Sequence, residues 1–284
     1  IDERMARSVA VEADNAEIVL SVWQGLQQRF SELQQIVKQS SRFAQLIDMH
    51  MQIIANILYV RFEFLTGDAS GHNMVTKASD QLLKWMLQQY PSIRYLSVSG
   101  NYCTDKKVSA VNGILGRGKN VVCEIIISAA LCQSILKTTP EKIVEINIKK
   151  NLLGTMAAGA VRSANAHFAN ILLAFYLATG QDAANLVEGS QGFVHAEMRG
   201  KDLYFSVTVP NIIVGFIGNG KELDFVQANM RQLGCLEERE PGVNARRLAV
   251  ICAATILCCE LSLLAALTNP GELMKAHEAF ERKK

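Results

Sequence analysis

The sequence predicts an α+β chain in two parts, a small β-α-β-β-α-β unit over 1–97 joined to a larger α/β part over 98–284 built around a long central helix. Three observations predict it. Before residue 98 glycines are few, no proline precedes Pro91 and most of the glutamines are concentrated, a composition that then changes. Within this part apolar residues recur alternately at strand and helix spacing, in the order strand, helix, strand, strand, helix, strand. After Ser99 short apolar strands flank one long stretch at helical spacing.

Residues 5–12 alternate weakly, as a strand does. Val19, Trp23, Leu26, Phe30, Leu33 and Val37 follow at steps of four and three, one apolar stripe on a single helix that packs against a sheet. Residues 43–55 and 57–65 read as strands, with Val60, Phe62 and Phe64 on one face of the second and Arg61 and Glu63 on the other. A helix over 73–89 and a strand over 93–98 complete the order of a ferredoxin-like unit. In the second part strands are expected at 121–127 and 143–148, then the long helix over 152–179, whose glycine- and alanine-rich first half suits close packing. A hairpin joins 193–198 to 203–209 through Arg199-Gly200-Lys201-Asp202. Helices near 223–234, 244–267 and 271–282 close the chain, with Pro241 and Pro270 as boundaries.

With 284 residues, 49% of them hydrophobic, the chain can bury a large core, and a net charge of +2 provides no overall field to draw nucleic acid or a membrane surface. Seven cysteines without a Cys-x-x-Cys pair read as reduced thiols of a cytoplasmic protein, and five histidines with no i,i+4 pair argue against a metal site. Residues 248–267 are long enough to span a bilayer, but Glu260, Ser262 and the small residues near the centre favour a helix buried in protein, and no membrane partner is expected for this chain.

The densest chemistry is Ser99-Gly100-Asn101-Tyr102-Cys103-Thr104-Asp105-Lys106-Lys107, two cations beside a carboxylate on a loop after a strand, an arrangement suited to an anion. Two adjacent lysines cannot both stay charged without cost, so one pKa should fall unless anionic partners compensate. By itself the loop is compatible with a solvated basic turn, Asp182 after Gly180 with a cap, His277 with a surface histidine, and His167 and Asn170 with helix packing.

Together with Gly180-Gln181-Asp182-Ala183-Ala184-Asn185, His167-Phe168-Ala169-Asn170 and Leu273-Met274-Lys275-Ala276-His277, the loop resembles the catalytic domain of the 3-hydroxy-3-methylglutaryl-coenzyme A (HMG-CoA) reductase family, over about residues 40–284 and nearer its eukaryotic and archaeal branch. The resemblance implies a nicotinamide-binding small domain over 1–97 and an HMG-CoA-binding large domain over 98–284. It implies NADPH-dependent reduction of HMG-CoA, through a thiohemiacetal and mevaldehyde, to mevalonate and coenzyme A. Lys106 would then be the catalytic lysine, Asp182 the aspartate that sets its protonation, and His277 the proton donor to the departing thiolate. Ser99, Asn101, Asp105, Lys107 and Lys150 would hold the acyl portion, Asn170 would lie beside the reacting centre, and Lys137 and His167 would meet coenzyme A, His167 and Asn170 sharing one face of the long helix. Ser41, Arg42, Phe43, Asp68, Ser70, Gly71, His72, Asn73 and Gly218 match cofactor contacts, and Arg282 a cation near a 2′-phosphate. The two arginines favour NADPH over NADH, which stays open, because a dianionic phosphate suits guanidinium partners. The resemblance also implies a homodimer or a dimer of dimers with shared sites.

Three departures accompany the match. The family's upstream catalytic glutamate and a substrate-binding arginine have no counterpart recognised in these residues, which points to a fragment. The glycine segments are altered, with Asp68-Ala69-Ser70-Gly71-His72-Asn73 in place of Asp-Ala-Met-Gly-Met-Asn and Gly215-Phe216-Ile217-Gly218-Asn219-Gly220 in place of Gly-Thr-Val-Gly-Gly-Gly. Lys283 stands where animal members carry a phosphorylatable serine, so that switch is expected to be absent. The alternative is a non-catalytic acyl-coenzyme A binding module derived from the same family.

Overall fold

The computed structural model describes residues 1–218 and 220–281. Strand β1 (Asp2–Ala13) opens the chain, and helix α1 (Ala16–Gln28) follows behind a cap in which Asn15 accepts the Ile18 amide at 3.0 Å. Of the 19–37 stripe, Val19, Leu26, Leu33 and Val37 are buried while Trp23 and Phe30 are only partly so, and the stripe lies on two helices. The break falls at Arg29, after which α2 (Phe30–Ser40) begins. There the Arg29 guanidinium grips Glu32 at 2.7 Å and lies 4.4 Å from the Trp85 ring centre, contacts that reward turning the chain.

Strands β2 (Gln45–Ile54) and β3 (Ile57–Leu65) form a hairpin, and α3 (His72–Gln89) leads to β4 (Ile93–Ser97). These four strands lie in the order β2-β3-β1-β4, all antiparallel. Residues of α1, α2 and α3 join those of the strands in one apolar cluster that includes Val9, Phe62, Leu82 and Met86.

Helix α4 (Ala110–Leu115) precedes β5 (Gly118–Ile127), whose start pairs with the start of β1, Glu3 opposite Lys119, so the sheet runs on into the second part. Helices α5 (Ala129–Ser134) and α6 (Pro140–Ile146) follow. The strand expected at 143–148 is thus helical. Thr139 accepts the Lys142 amide and Pro140 occupies the first turn, start signals that outweigh the β-branched run Ile143-Val144.

The expected 152–179 helix is also several pieces. A π-helical stretch (Asn147–Gly154) and the short α7 (Thr155–Ala157) end where Gly159 takes φ +71° and Arg162 φ +53°. The chain then forms β6 (Ser163–Ala164), and α8 (Phe168–Ala178) starts afresh with the Phe168 amide on the Asn165 side chain at 3.2 Å.

Beyond the Gly180 turn (φ +62°) come a single 3₁₀ turn (Ala183–Asn185) and α9 (Leu186–Gly189). The hairpin of β7 (Gly192–Arg199) and β8 (Asp202–Ile212) has the expected register, Arg199 opposite Asp202. Helices α10 (Asp224–Gln232), α11 (Val243–Leu267) and α12 (Glu272–Glu281) complete the described chain. The main path of the sheet is β2-β3-β1-β5-β8-β7-β6, and a second apolar cluster unites β5, β7 and β8 with α8 and α11. Helix α11 is long and apolar enough to cross a membrane, yet 56% of its most apolar window is buried and Glu260 is fully enclosed.

Candidate active site

The basic loop lies between β4 and α4. Gly100 is required at its start, because a Cβ there would come within 2.9 Å of the Ala10 Cβ, while its amide reaches the Ser8 carbonyl at 2.8 Å. Asn101, Thr104 and Lys106 have φ of +62°, +44° and +57°, a run of left-handed non-glycine residues. Hydrogen bonds hold this conformation. Thr104 and Ser109 hydroxyls lie 2.7 Å apart, the Asn112 amide donates to the Thr104 carbonyl at 3.2 Å, and the Thr104 amide reaches the Asn101 carbonyl at 2.9 Å.

So held, Lys106 Nζ lies 2.7 Å from Asp182 Oδ2. Asp182 performs both roles considered for it, since its Oδ1 accepts the Ala184 amide at 3.1 Å and caps the 3₁₀ turn. The hydrogen bond Lys106 donates to Asp182 raises the Lys106 pKa, assisted by the charges of Asp182, Asp105 and Glu188, against the effect of burial. Asp182 is the anion that spares Lys106 the depression otherwise expected beside a second cation. Burial pushes the Asp182 carboxyl up, but the Lys106 hydrogen bond, the Ala184 amide and nearby charges outweigh it, and the pKa falls.

This pair opens onto a cleft of about 540 Å³ between the basic loop and the start of α3. Ser70, Gly71, His72 and Asn73 line its far side, Gly218 and Asp105 lie at its edge, and Arg7 enters from β1. The sequence reading recognised no counterpart of a substrate-binding arginine, yet Arg7 brings one to the cleft: its guanidinium reaches Ser99 Oγ at 3.2 Å and Thr76 Oγ1 at 3.0 Å, and lies 3.8 Å from Asp105. Among the described residues no side chain caps the first turn of α3, whose preceding Gly71 is left-handed at φ +95°, so amides of that turn are available to an anion. Burial and the Arg117 charge lower the His72 pKa to about 4, and its Nε2 is enclosed without a hydrogen-bond partner.

The other expected residues lie apart from this cleft. Lys107 is exposed and its Nζ folds back on the Asp105 carbonyl at 3.1 Å; Asn101 is exposed on the same loop. Lys150, in the π-helical stretch, donates to Asn151 at 3.3 Å, and Lys137 donates to the Ser134 carbonyl at 2.6 Å. His167 and Asn170 do not share a helical face: His167 precedes the first turn of α8 with φ −162°, and Asn170 is exposed within it. Ser41 accepts the Phe43 and Ala44 amides at 3.3 and 3.0 Å, and Arg42 lies 5.3 Å from the Phe43 ring centre. The Asp68 carboxylate serves α11, accepting the Gly242 and Ala245 amides at 2.8 and 3.1 Å. His277 sits exposed on α12, outside the residues that line the cleft. Arg282 and Lys283 lie outside the described residues.

Further charged residues lay outside the motif reading. Arg117 and Glu188 form a fully buried pair at 2.6 Å behind the lysine loop. Lys221 donates to the Gly180 carbonyl beside Asp182, and burial lowers its pKa to about 8. Glu260 accepts the Ala166 and His167 amides at 2.8 and 2.7 Å and meets His167 Nδ1 at 2.8 Å. Asp48, His50 and Glu63 converge as metal ligands could, but Glu63 already holds Arg4 at 2.9 Å and Arg61 at 2.8 Å, which makes the group an ion-pair network.

The sequence profile of the family described as hydroxymethylglutaryl-coenzyme A reductase matches residues 1–282. Among named relatives, a 3-hydroxy-3-methylglutaryl-coenzyme A reductase of Aeropyrum pernix is 44% identical over 265 residues, 93% of this chain and 62% of the relative. The 3-hydroxy-3-methylglutaryl-coenzyme A reductase 1 of Oryza sativa subsp. japonica is 45% identical over 286 residues, 99% of this chain and 54% of the relative. The chain thus spans between about half and two thirds of the length of these relatives. A class II reductase of the same description from Streptococcus pneumoniae, solved with NADPH bound in open conformations, superposes with a TM-score of 0.70 at 19% identity, covering 94% of this chain and 72% of that one. At that identity the likeness concerns the fold.

Proposed function

Since this chain belongs to the hydroxymethylglutaryl-coenzyme A reductase family, we propose that it carries the lysine–aspartate half of a site for the NADPH-dependent reduction of HMG-CoA to mevalonate and coenzyme A. The observation that carries this reading is the 2.7 Å contact between Lys106 and Asp182 at the wall of a cleft of about 540 Å³.

Reduction of a thioester, and then of an aldehyde, places negative charge on the carbonyl oxygen. A protonated amine aimed at that oxygen stabilises the charge as it develops. Asp182 favours the protonated form of Lys106, and the half-exposed position of both side chains leaves the ammonium accessible from the cleft. Arg7 and the α3 amides add positive potential for a carboxylate or a phosphate. These features fit a reduced nicotinamide cofactor, held by Ser70, Gly71, His72 and Asn73, with Gly218 alongside. Bound there, the cofactor supplies the hydride.

In this reading the reaction passes through a thiohemiacetal and mevaldehyde. His277 protonates the departing thiolate, and Lys137 and His167 meet coenzyme A. Ser99, Asn101, Lys107, Lys150 and Asn170 complete the acyl site by the approach of a second copy, so the active assembly is at least a homodimer. The 1–97 part binds the nicotinamide cofactor, the 98–284 part binds the thioester, and the reaction takes place in the cytoplasm.

The test is NADPH oxidation by the full-length protein. Oxidation that depends on HMG-CoA and is lost in Lys106→Ala with the fold intact supports the reading. Its absence overturns it, and calorimetry showing thioester binding without NADPH or NADH binding then points to the non-catalytic acyl-coenzyme A module.

A further inference from the structure

The contact between Lys106 and Asp182 is made by two chain segments remote in sequence, the loop before α4 and the turn before α9. What joins them is buried behind the cleft. Arg117, fully enclosed just ahead of β5, places Nη1 3.0 Å from Asp105 Oδ1 and 2.6 Å from Glu188 Oε1. Asp105 is the neighbour of Lys106, and Glu188 lies on α9, just past the 3₁₀ turn that Asp182 caps, so one guanidinium faces both segments. Asn185 also donates to the Glu188 carboxylate, at 2.9 Å. A second bridge runs beside the first, with the Gln191 amide on the Ser109 carbonyl at 2.8 Å and Asn211 donating to the Glu188 carbonyl at 3.1 Å.

Stability does not account for this arrangement. A buried ion pair recovers little beyond its desolvation cost, and well-packed apolar residues can replace one without loss. Among the described residues Arg117 Nε and Nη2, Asp105 Oδ1, Glu188 Oε2 and Asn185 Oδ1 are enclosed without hydrogen-bond partners, so the Arg117–Asp105 contact is an ion pair alone and the cost is raised. What the pair does supply is register: it fixes the loop whose lysine adopts φ +57° against the turn that carries the aspartate.

We propose that Arg117 and Glu188 are positioning residues, clamping the Lys106 loop onto the Asp182 turn so that the amine stays charged and directed at the reacting oxygen. The proposal rests on the reading of Lys106 given above. The charged and titratable groups facing Lys106 are Asp182 from the turn, Asp105 from its own loop, Glu188 from α9, His72 from α3 and Arg117 ahead of β5, with Arg7 from β1 on the cleft wall and Lys221 beside Asp182. Removing the Glu188 charge therefore leaves the cations less opposed, and Lys106 loses its proton at lower pH.

The test uses the full-length protein with Glu188→Gln, Arg117→Lys and the paired Arg117→Met/Glu188→Met. Each is measured for kcat and KM with HMG-CoA across pH, for thermal midpoint, and for the pH dependence of Lys106 acetylation in a competitive-labelling experiment read by mass spectrometry. Expected are a kcat lowered about tenfold to a hundredfold per folded molecule, a thioester KM changed much less, and an acetylation profile at Lys106 moved to lower pH in Glu188→Gln. The paired variant should keep a midpoint close to the parent while sharing the loss of kcat. Parental kcat per folded molecule together with a parental acetylation profile overturns the proposal, whether or not the variants melt early. If the parent itself shows no thioester-dependent oxidation, the reaction assigned above fails, and the acetylation profiles alone decide whether the clamp exists.

Discussion

Lys106 Nζ and Asp182 Oδ2 stand 2.7 Å apart, and each is roughly 40% exposed. An ion pair so open to water contributes little to stability, on the order of 1 kcal/mol or less. The left-handed backbone at Lys106, at φ +57°, is an expense that such a weak bond does not offset. The pair therefore makes sense as a prepared charge at the cleft wall.

Lys106→Ala should lower turnover by about a hundredfold to a thousandfold with little change in unfolding midpoint, as measured by NADPH oxidation and thermal melts. Asp182→Asn removes the largest cause of the raised Lys106 pKa. The amine should then deprotonate earlier as pH rises, and the alkaline limb of the kcat profile should move to lower pH. An unmoved limb would show that Asp182 does not set the charge on the lysine.

His72 gives a stability prediction with a definite sign. Its folded pKa of about 4 lies below the ordinary 6.5, so between these values the unfolded chain binds more protons than the folded one. The contribution is whole above pH 6.5 and is lost as pH falls toward 4, amounting to about 3 kcal/mol at full extent. Urea titrations of the parent and His72→Met from pH 7.5 to pH 4 should show the parent losing the greater stability. Parallel losses would place the imidazole in water.

Lys221 behaves in the same sense at higher pH. Burial beside the Gly180 carbonyl lowers its pKa from 10.5 to about 8, so the unfolded chain again holds more protons within that interval, and this contribution to stability grows as pH rises from 8 to 10.5. Relative to Lys221→Met, the parent should gain on the order of 2–3 kcal/mol across that range in denaturant titrations. A constant difference would mean that the amine reaches solvent.

The legible parts of the molecule are those coded locally. Period-two strands at 57–65 and 203–209, the 199–202 turn and the 73–89 helix follow from neighbouring residues, and the Lys106–Asp182 pairing followed from the resemblance of two motifs. Where local signals competed, reading by apolar spacing failed. Ile143 and Val144 look like a strand, but the Thr139-Pro140 start makes a helix, and the 152–179 stretch hides a restart at Asn165 inside a run of small residues. At the site, Arg7, Arg117 and Glu188 carry no motif, because their meaning lies in the sheet register and in contacts between remote segments.

Glu260 shows how a residue used for one purpose in the sequence serves another in the fold. As the lone charge within 248–267 it argued against a membrane span; folded, it is wholly buried and accepts the Ala166 and His167 amides while meeting His167 Nδ1, all within 2.8 Å. This carboxylate ties the centre of α11 to the start of α8 and fixes the ring of His167. Glu260→Ala leaves two part-buried amides without acceptors, and an unsatisfied buried donor costs about 1–3 kcal/mol, so a loss of about 1–3 kcal/mol is expected in urea unfolding. Glu260→Gln keeps one acceptor but turns an NH₂ group toward the other donors, and should cost less than the alanine. If Glu260→Ala melted with the parent, α8 would have to be held by its apolar contacts with α11 alone, and the placement of His167 would have another cause.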